Sequence, residues 1–174
     1  KEFLTCIRDE KENKLFREAL IRILHEKYWK SLKESQKEEF LKVLSSVISD
    51  RTFSLEMRIL CCKKVESIIK RKYRKIVYSD TNVKKLERES KRKGTIIEMI
   101  KQSEIEFTSD TVKLLETFNK QMDCYMQKFK KITESKTEPT RLKEQVQKAI
   151  NHFRELSFPK SPGEKPFEKS KTKG

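Results

Sequence analysis

Apolar residues recur at helical spacing along most of this chain, and the elements they predict are helices with no strand. A first helix is expected from about Asp9 to Leu32. Leu15, Ala19 and Ile23, with Phe16, Leu20 and Leu24, make its apolar stripe, and Tyr28 and Trp29 close it. Ser35 to Glu38 reads as a capping box ahead of Phe40, Leu41, Val43, Leu44, Val47 and Ile48, a second helix ending near Asp50. A third is expected from Ser54 to about Tyr78, with Leu55, Ile59, Cys62, Val65, Ile69, Tyr73 and Ile76 along one face. Met57, Leu60, Cys61 and Ile68 widen its apolar surface to more than half the circumference, which predicts a central, buried position. Its second half emerges into solvent or onto an anion, because Lys63, Lys64, Lys70, Arg71, Arg74 and Lys75 cover the opposite face.

Residues 79–95 allow two readings: a short exposed helix capped by Asp80 or Thr81 and then a loop, or a loop throughout. Ile96, Ile97, Met99, Ile100, Ile105 and Phe107 return to the core. Thr108, Ser109 or Asp110 then caps a long helix reaching about Thr133, lined by Val112, Leu115, Phe118, Met122, Tyr125, Met126, Phe129 and Ile132. Pro139 suits a helix start. Leu142, Val146, Ala149, Ile150, Phe153 and Leu156 build the last helix. The expected fold is all-α: a bundle or short helical-repeat-like stack of five or six helices over residues 1–157. A disordered basic tail over 158–174, rich in proline and lysine, follows. No internal repeat is evident at helical-pair periods.

Composition agrees with this pattern. Three glycines and four prolines in 174 residues leave little turn chemistry for sheets or phosphate-cradling loops. Charge changes the picture more. The formal net charge is +15. It is uneven: +3 over residues 1–69, +8 over 70–93, +1 over 94–158 and +3 over 159–174. Such an excess attracts nucleic acid, anionic lipid or an acidic protein and says nothing about fold.

Candidate chemistry is sparse. His25 and His152 are far apart, and no local motif surrounds any cysteine, so the chain reads as noncatalytic with no small-molecule substrate expected. Cys6, Cys61, Cys62 and Cys124 lack paired metal-ligand spacing, so no metal or cofactor is expected. Adjacent Cys61 and Cys62 point about 100° apart on a helix, a poor disulfide framework, which suggests reduced thiols. No stretch approaches a membrane span, and the basic faces lack the bulky apolar opposite face of an interfacial helix.

The basic segment over residues 70–93 stands above this background. Phosphate neutralisation needs several cations on one surface. The candidates for nucleic-acid or acidic-partner binding are Lys63, Lys64, Lys70, Arg71, Arg74, Lys75, Lys84, Lys85, Arg88, Lys91, Arg92 and Lys93. No residue set for base readout is identifiable. The plain alternative is a solvated charge run doubling as a nuclear import signal. Tyr28 and Trp29, which cannot both face one way, and Phe158 are candidate protein-partner contacts. The chain begins at Lys1 rather than Met, which suggests a domain of something larger. The sequence thus points to a noncatalytic helical protein-interaction domain of a nuclear, or else cytoplasmic, protein whose basic segment addresses nucleic acid or acidic partners. The alternative is a direct, largely sequence-independent DNA- or RNA-binding module.

Overall fold

The computed structural model describes residues 2–89, 98 and 105–156. Among them are seven α-helices and no strand: α1 (Glu2–Arg8), α2 (Lys14–Ile23), α3 (Glu34–Ser49), α4 (Leu55–Ser79), α5 (Thr81–Glu89), α6 (Ser109–Glu134) and α7 (Thr140–Leu156). None is long and apolar enough to cross a membrane. The all-α expectation holds. The tail expected from residue 158, and Ile96, Ile97, Met99 and Ile100, lie outside the described residues.

The single helix expected from Asp9 to Leu32 is a correction. The chain forms α1 before Asp9 and turns. It restarts at α2, where the Asn13 side chain accepts from the Leu15 amide at 2.9 Å. The helix then loosens into a π-turn over Leu24–Tyr28 and tightens into a 3-10 turn over Trp29–Ser31. The stripe is also corrected. The buried face of α2 is Arg17, Leu20 and Ile21, while Leu15, Phe16, Ala19 and Ile23 are exposed. Arg17 explains the rotation. Its Nε donates to the Ile7 carbonyl at 2.7 Å, its guanidinium stands 4.4 Å over the Phe53 ring, and Asp50 lies 3.9 Å away. A buried guanidinium is tolerated only when so satisfied.

α3 begins at Glu34, where the Gln36 side chain accepts from the Lys33 amide at 2.8 Å. The capping interaction expected at Ser35 to Glu38 therefore sits two residues earlier. α4 is central, as expected. It packs against α3, α6 and α7, and Met57, Cys61, Cys62, Val65 and Val77 on it are fully buried. Phe129 and Phe153 stack at 5.9 Å between α6 and α7. Val112, expected in the core stripe of α6, is 38% exposed.

Short loops join α1 to α2, α3 to α4 and α6 to α7, giving three helical hairpins. The first two are built alike, which corrects the absence of a repeat. Ile48, Asp50, Ser54 and Arg58 follow Ile7, Asp9, Asn13 and Arg17 at an offset of 41 residues. Arg58 Nε donates to the Ile48 carbonyl at 2.8 Å, as Arg17 Nε does to Ile7, so each arginine caps the preceding helix. Asp9 and Asp50 each accept from the backbone two residues on, at 3.0 and 2.8 Å. Buried positions match too: Leu4 with Ser45, Leu20 with Cys61, Ile21 with Cys62, and Leu24 with Val65. Each arginine also reaches an acid in the next hairpin's loop, Arg17 to Asp50 and Arg58 to Glu138 at 2.9 Å.

Candidate nucleic-acid interface

The basic run over residues 70–75 is contiguous in sequence but divided by ion pairing. A helix turns by about 100° per residue, so alternate residues leave on different faces. Lys70 lies 2.9 Å from Glu66, which also holds His152 of α7. Lys72 pairs with Glu38, and Lys75 lies 3.9 Å from Glu34. Burial raises the Glu66 carboxyl, but its hydrogen bonds to Lys70 and His152 outweigh that and hold it below its ordinary value. These three lysines are therefore compensated and tie α4 to α3 and α7.

Between Lys70 and Lys75 around the helix, Lys63, Arg71 and Arg74 are exposed and Lys64 is half-buried. Among the described residues none of the four has an ion-pair partner. They form a cationic strip about 16 Å long on the helix axis. Lys64 and Arg71 border His25 on the π-turn. Burial, then these two cations, lower the His25 pKa, with Glu26 opposing. A neutral imidazole beside them at neutral pH adds no like charge.

α5 carries the second cationic group. Lys84, Lys85 and Arg88 are exposed on the face opposite buried Val83. The helix start is fixed by Asp80, which is 2% exposed. One carboxylate oxygen accepts from the Asn82 and Val83 amides at 2.8 and 3.3 Å. The other accepts from the amide and hydroxyl of Thr108, the N-cap of α6, at 3.0 and 2.9 Å. Burial pushes this carboxyl up, but the bonds from Thr111, Thr108 and Val83 outweigh it and bring it down to about 2. Of the two readings of residues 79–95, the structure has the short exposed helix, with Asp80 as its cap. Lys91, Arg92 and Lys93 lie outside the described residues.

The aromatic candidates separate. Tyr28 is 51% exposed. Trp29 is half-buried, with Phe40 at 6.0 Å, His25 at 6.2 Å and the Lys37 ammonium 5.7 Å over its ring. Phe158 lies outside the described residues. Arg17, Arg58, Asp80 and Glu138 were absent from the sequence-based candidates. The shared spacing of an acid, an N-cap residue four on and an arginine four further, in Asp9-Asn13-Arg17 and Asp50-Ser54-Arg58, is the signal that finds the two arginines. Among the described residues no cluster of three potential metal ligands occurs. A cleft of about 110 Å³, lined by Ile7, Arg17, Val47, Asp50 and Phe53, is small beside ordinary ligand pockets of about 300 Å³ or more.

Fold and site together define an all-α stack of helical hairpins with a cationic flank. Compared with protein-family models, curated proteins and solved structures, the chain matches none.

Proposed function

We propose that the chain is a noncatalytic helical interaction domain acting in the nucleus, which binds a protein partner and lays the phosphate backbone of a nucleic acid along the outer face of α4. The observation that carries this is the contrast within one helix. Lys70, Lys72 and Lys75 are matched by acids, whereas Lys63, Lys64, Arg71 and Arg74 are left uncompensated side by side. Structural lysines need acids, and a row of cations without them favours an external polyanion. The exposed cations of α5 extend the same chemistry.

Contacts of this kind are to phosphate and carry no base readout, so binding is largely independent of sequence. Four phosphates neutralised by the α4 strip give a log–log salt slope of about −3.6, and affinity falls about 150-fold between about 50 and 200 mM salt. Fluorescence anisotropy with generic double-stranded DNA and single-stranded RNA tests this. Charge reversal at Lys63, Lys64, Arg71 and Arg74 should abolish binding, while neutralising Lys72 and Lys75 should change it far less. Absence of binding at about 50 mM salt, or a salt-insensitive affinity, refutes the nucleic-acid assignment.

A further inference from the structure

The register of α4 sets an aromatic ring in line with its uncompensated cations. Residues three, four and seven apart lie above one another on a helix. Lys64, Ser67, Arg71, Arg74 and Tyr78 follow at alternating steps of three and four, so they form one row. Lys63 flanks the row, four residues before Ser67. Cys62, Val65 and Ile69 are buried on the opposite half of the helix, so the row is turned away from the core. Tyr78 closes it, about 21 Å along the axis from Lys64.

Packing accounts for only part of Tyr78. Its ring is half-buried, with its body against the core. Among the described residues it has neither a stacked ring nor a hydrogen-bond partner. Tyr73, five residues earlier, differs. It is buried, and its ring lies 5.8 Å from that of Phe118. A tyrosine side chain is large and rigid and has two rotatable bonds, so it offers contact area at a low conformational cost. Tyr78 also stands in the chain between the α4 cations and Lys84, Lys85 and Arg88 of α5.

We propose that this row takes an unpaired nucleic-acid strand, one base stacking on the Tyr78 ring while the phosphates run along Lys63, Lys64, Arg71 and Arg74. This rests on the reading of the α4 face as a phosphate-binding surface and names the form of nucleic acid it takes. Inside a duplex both faces of a base are covered by its neighbours. A ring in line with the phosphate contacts therefore serves a strand whose bases can turn outward. Stacking needs no base-edge donor or acceptor, which agrees with a chain that carries no identifiable set for base readout. Salt separates the two forms as well. Four neutralised phosphates give a log–log slope of about −2.8 on a single strand against about −3.6 on a duplex. The preference for the single strand should thus widen about threefold between about 50 and 200 mM salt.

The full chain is titrated into three labelled probes and followed by anisotropy: a thymine strand of about twelve nucleotides, a strand of equal length with abasic sugars throughout, and a blunt mixed-sequence duplex. A separate arm repeats the set in RNA with a uracil strand, and preference for the unpaired strand in either arm supports the proposal. The base-bearing strand should bind at least about fivefold more tightly than the abasic strand, which has the same phosphates and nothing to stack. It should also bind more tightly than the duplex. Tyr78→Leu keeps an apolar body against the core and should lower affinity for the base-bearing strand to that for the abasic one, with an unchanged circular dichroism spectrum. Tyr78→Phe keeps the ring and should bind as wild type does. Equal affinity of the wild type for base-bearing and abasic strands in both arms overturns the proposal and leaves the phosphate reading standing. The same follows if the duplex binds more tightly in both arms, or if Tyr78→Leu binds as wild type does. Absence of binding to all probes at about 50 mM salt overturns the phosphate reading, and this proposal with it.

Discussion

Asp80 joins three helices, and its removal gives the sharpest check on the reasoning. It ends α4, caps α5 and anchors the N-terminus of α6 through Thr108. Asp80→Asn keeps an oxygen for the α5 amides but turns an NH2 group toward Thr108, whose amide is itself a donor. Loss of that charge-assisted link costs about 1.5–3 kcal/mol. Asp80→Ala removes the cap of α5 as well, adding about 1 kcal/mol. The same bonds act on the acidity of the carboxyl. The folded carboxyl sits at about 2 against an ordinary 3.8, which corresponds to about 2 kcal/mol of stability from the ionised form. Because the folded value is the lower one, that stability is complete above about pH 4 and is lost as the pH falls toward about 2. Urea unfolding followed by circular dichroism should show the gap between wild type and Asp80→Ala shrinking by about 2 kcal/mol across that window. A gap that stays constant from neutral pH to about 2 would refute the clasp as the source of the stability.

Further outcomes are expected. Arg58→Ala should cost about 2–4 kcal/mol, because the Ile48 carbonyl loses its donor and buried Glu138 loses one of its two cations, keeping only Arg51 at 3.1 Å; a melting temperature within a few degrees of wild type would contradict this. Glu138, held below its ordinary value chiefly by the bond from Arg58 and further by Arg51, should lend stability above the ordinary carboxylate range that fades on acidification, and Arg58→Met should weaken that dependence without abolishing it. In the folded protein a thiol reagent at about pH 8 should react quickly with exposed Cys124, whereas Cys61 and Cys62, pushed up to about 12 by burial, should react only on unfolding.

α4 was legible because its pattern and its environment agree. Cys62, Val65, Ile69 and Tyr73 were read as core and are buried, and the half rich in lysine and arginine does emerge. α2 was not, because periodicity counts arginine as solvent-facing. Arg17 is satisfied by a carbonyl, a ring and an acid brought from three different segments, and none of these is local to it. Leu15 and Phe16 were read as core for the same reason, since composition cannot distinguish an apolar face that has a neighbour from one that lacks it. The repeat was hidden by chemistry that varies where burial does not: Leu20 answers to Cys61 and Leu24 to Val65. Only its isoleucine, aspartate and arginine positions are identical in the two hairpins, too few to show without the geometry. The cationic segment was legible as a charge run. Its division into compensated and uncompensated cations needed Glu34, Glu38 and Glu66, which lie on two helices.

Trp29 is the sole tryptophan, and it lies at the seam where the first hairpin meets Phe40 of α3. Excited at the red edge where its four tyrosines do not absorb, the chain thus carries one emitter, placed on one joint of the stack. Its emission follows detachment of α1 and α2, while the circular dichroism signal follows the whole molecule. Where the two unfolding curves coincide, the hairpins melt as one unit; where tryptophan emission shifts first, the array frays from its N-terminal end. No label or added chromophore is required to tell these cases apart.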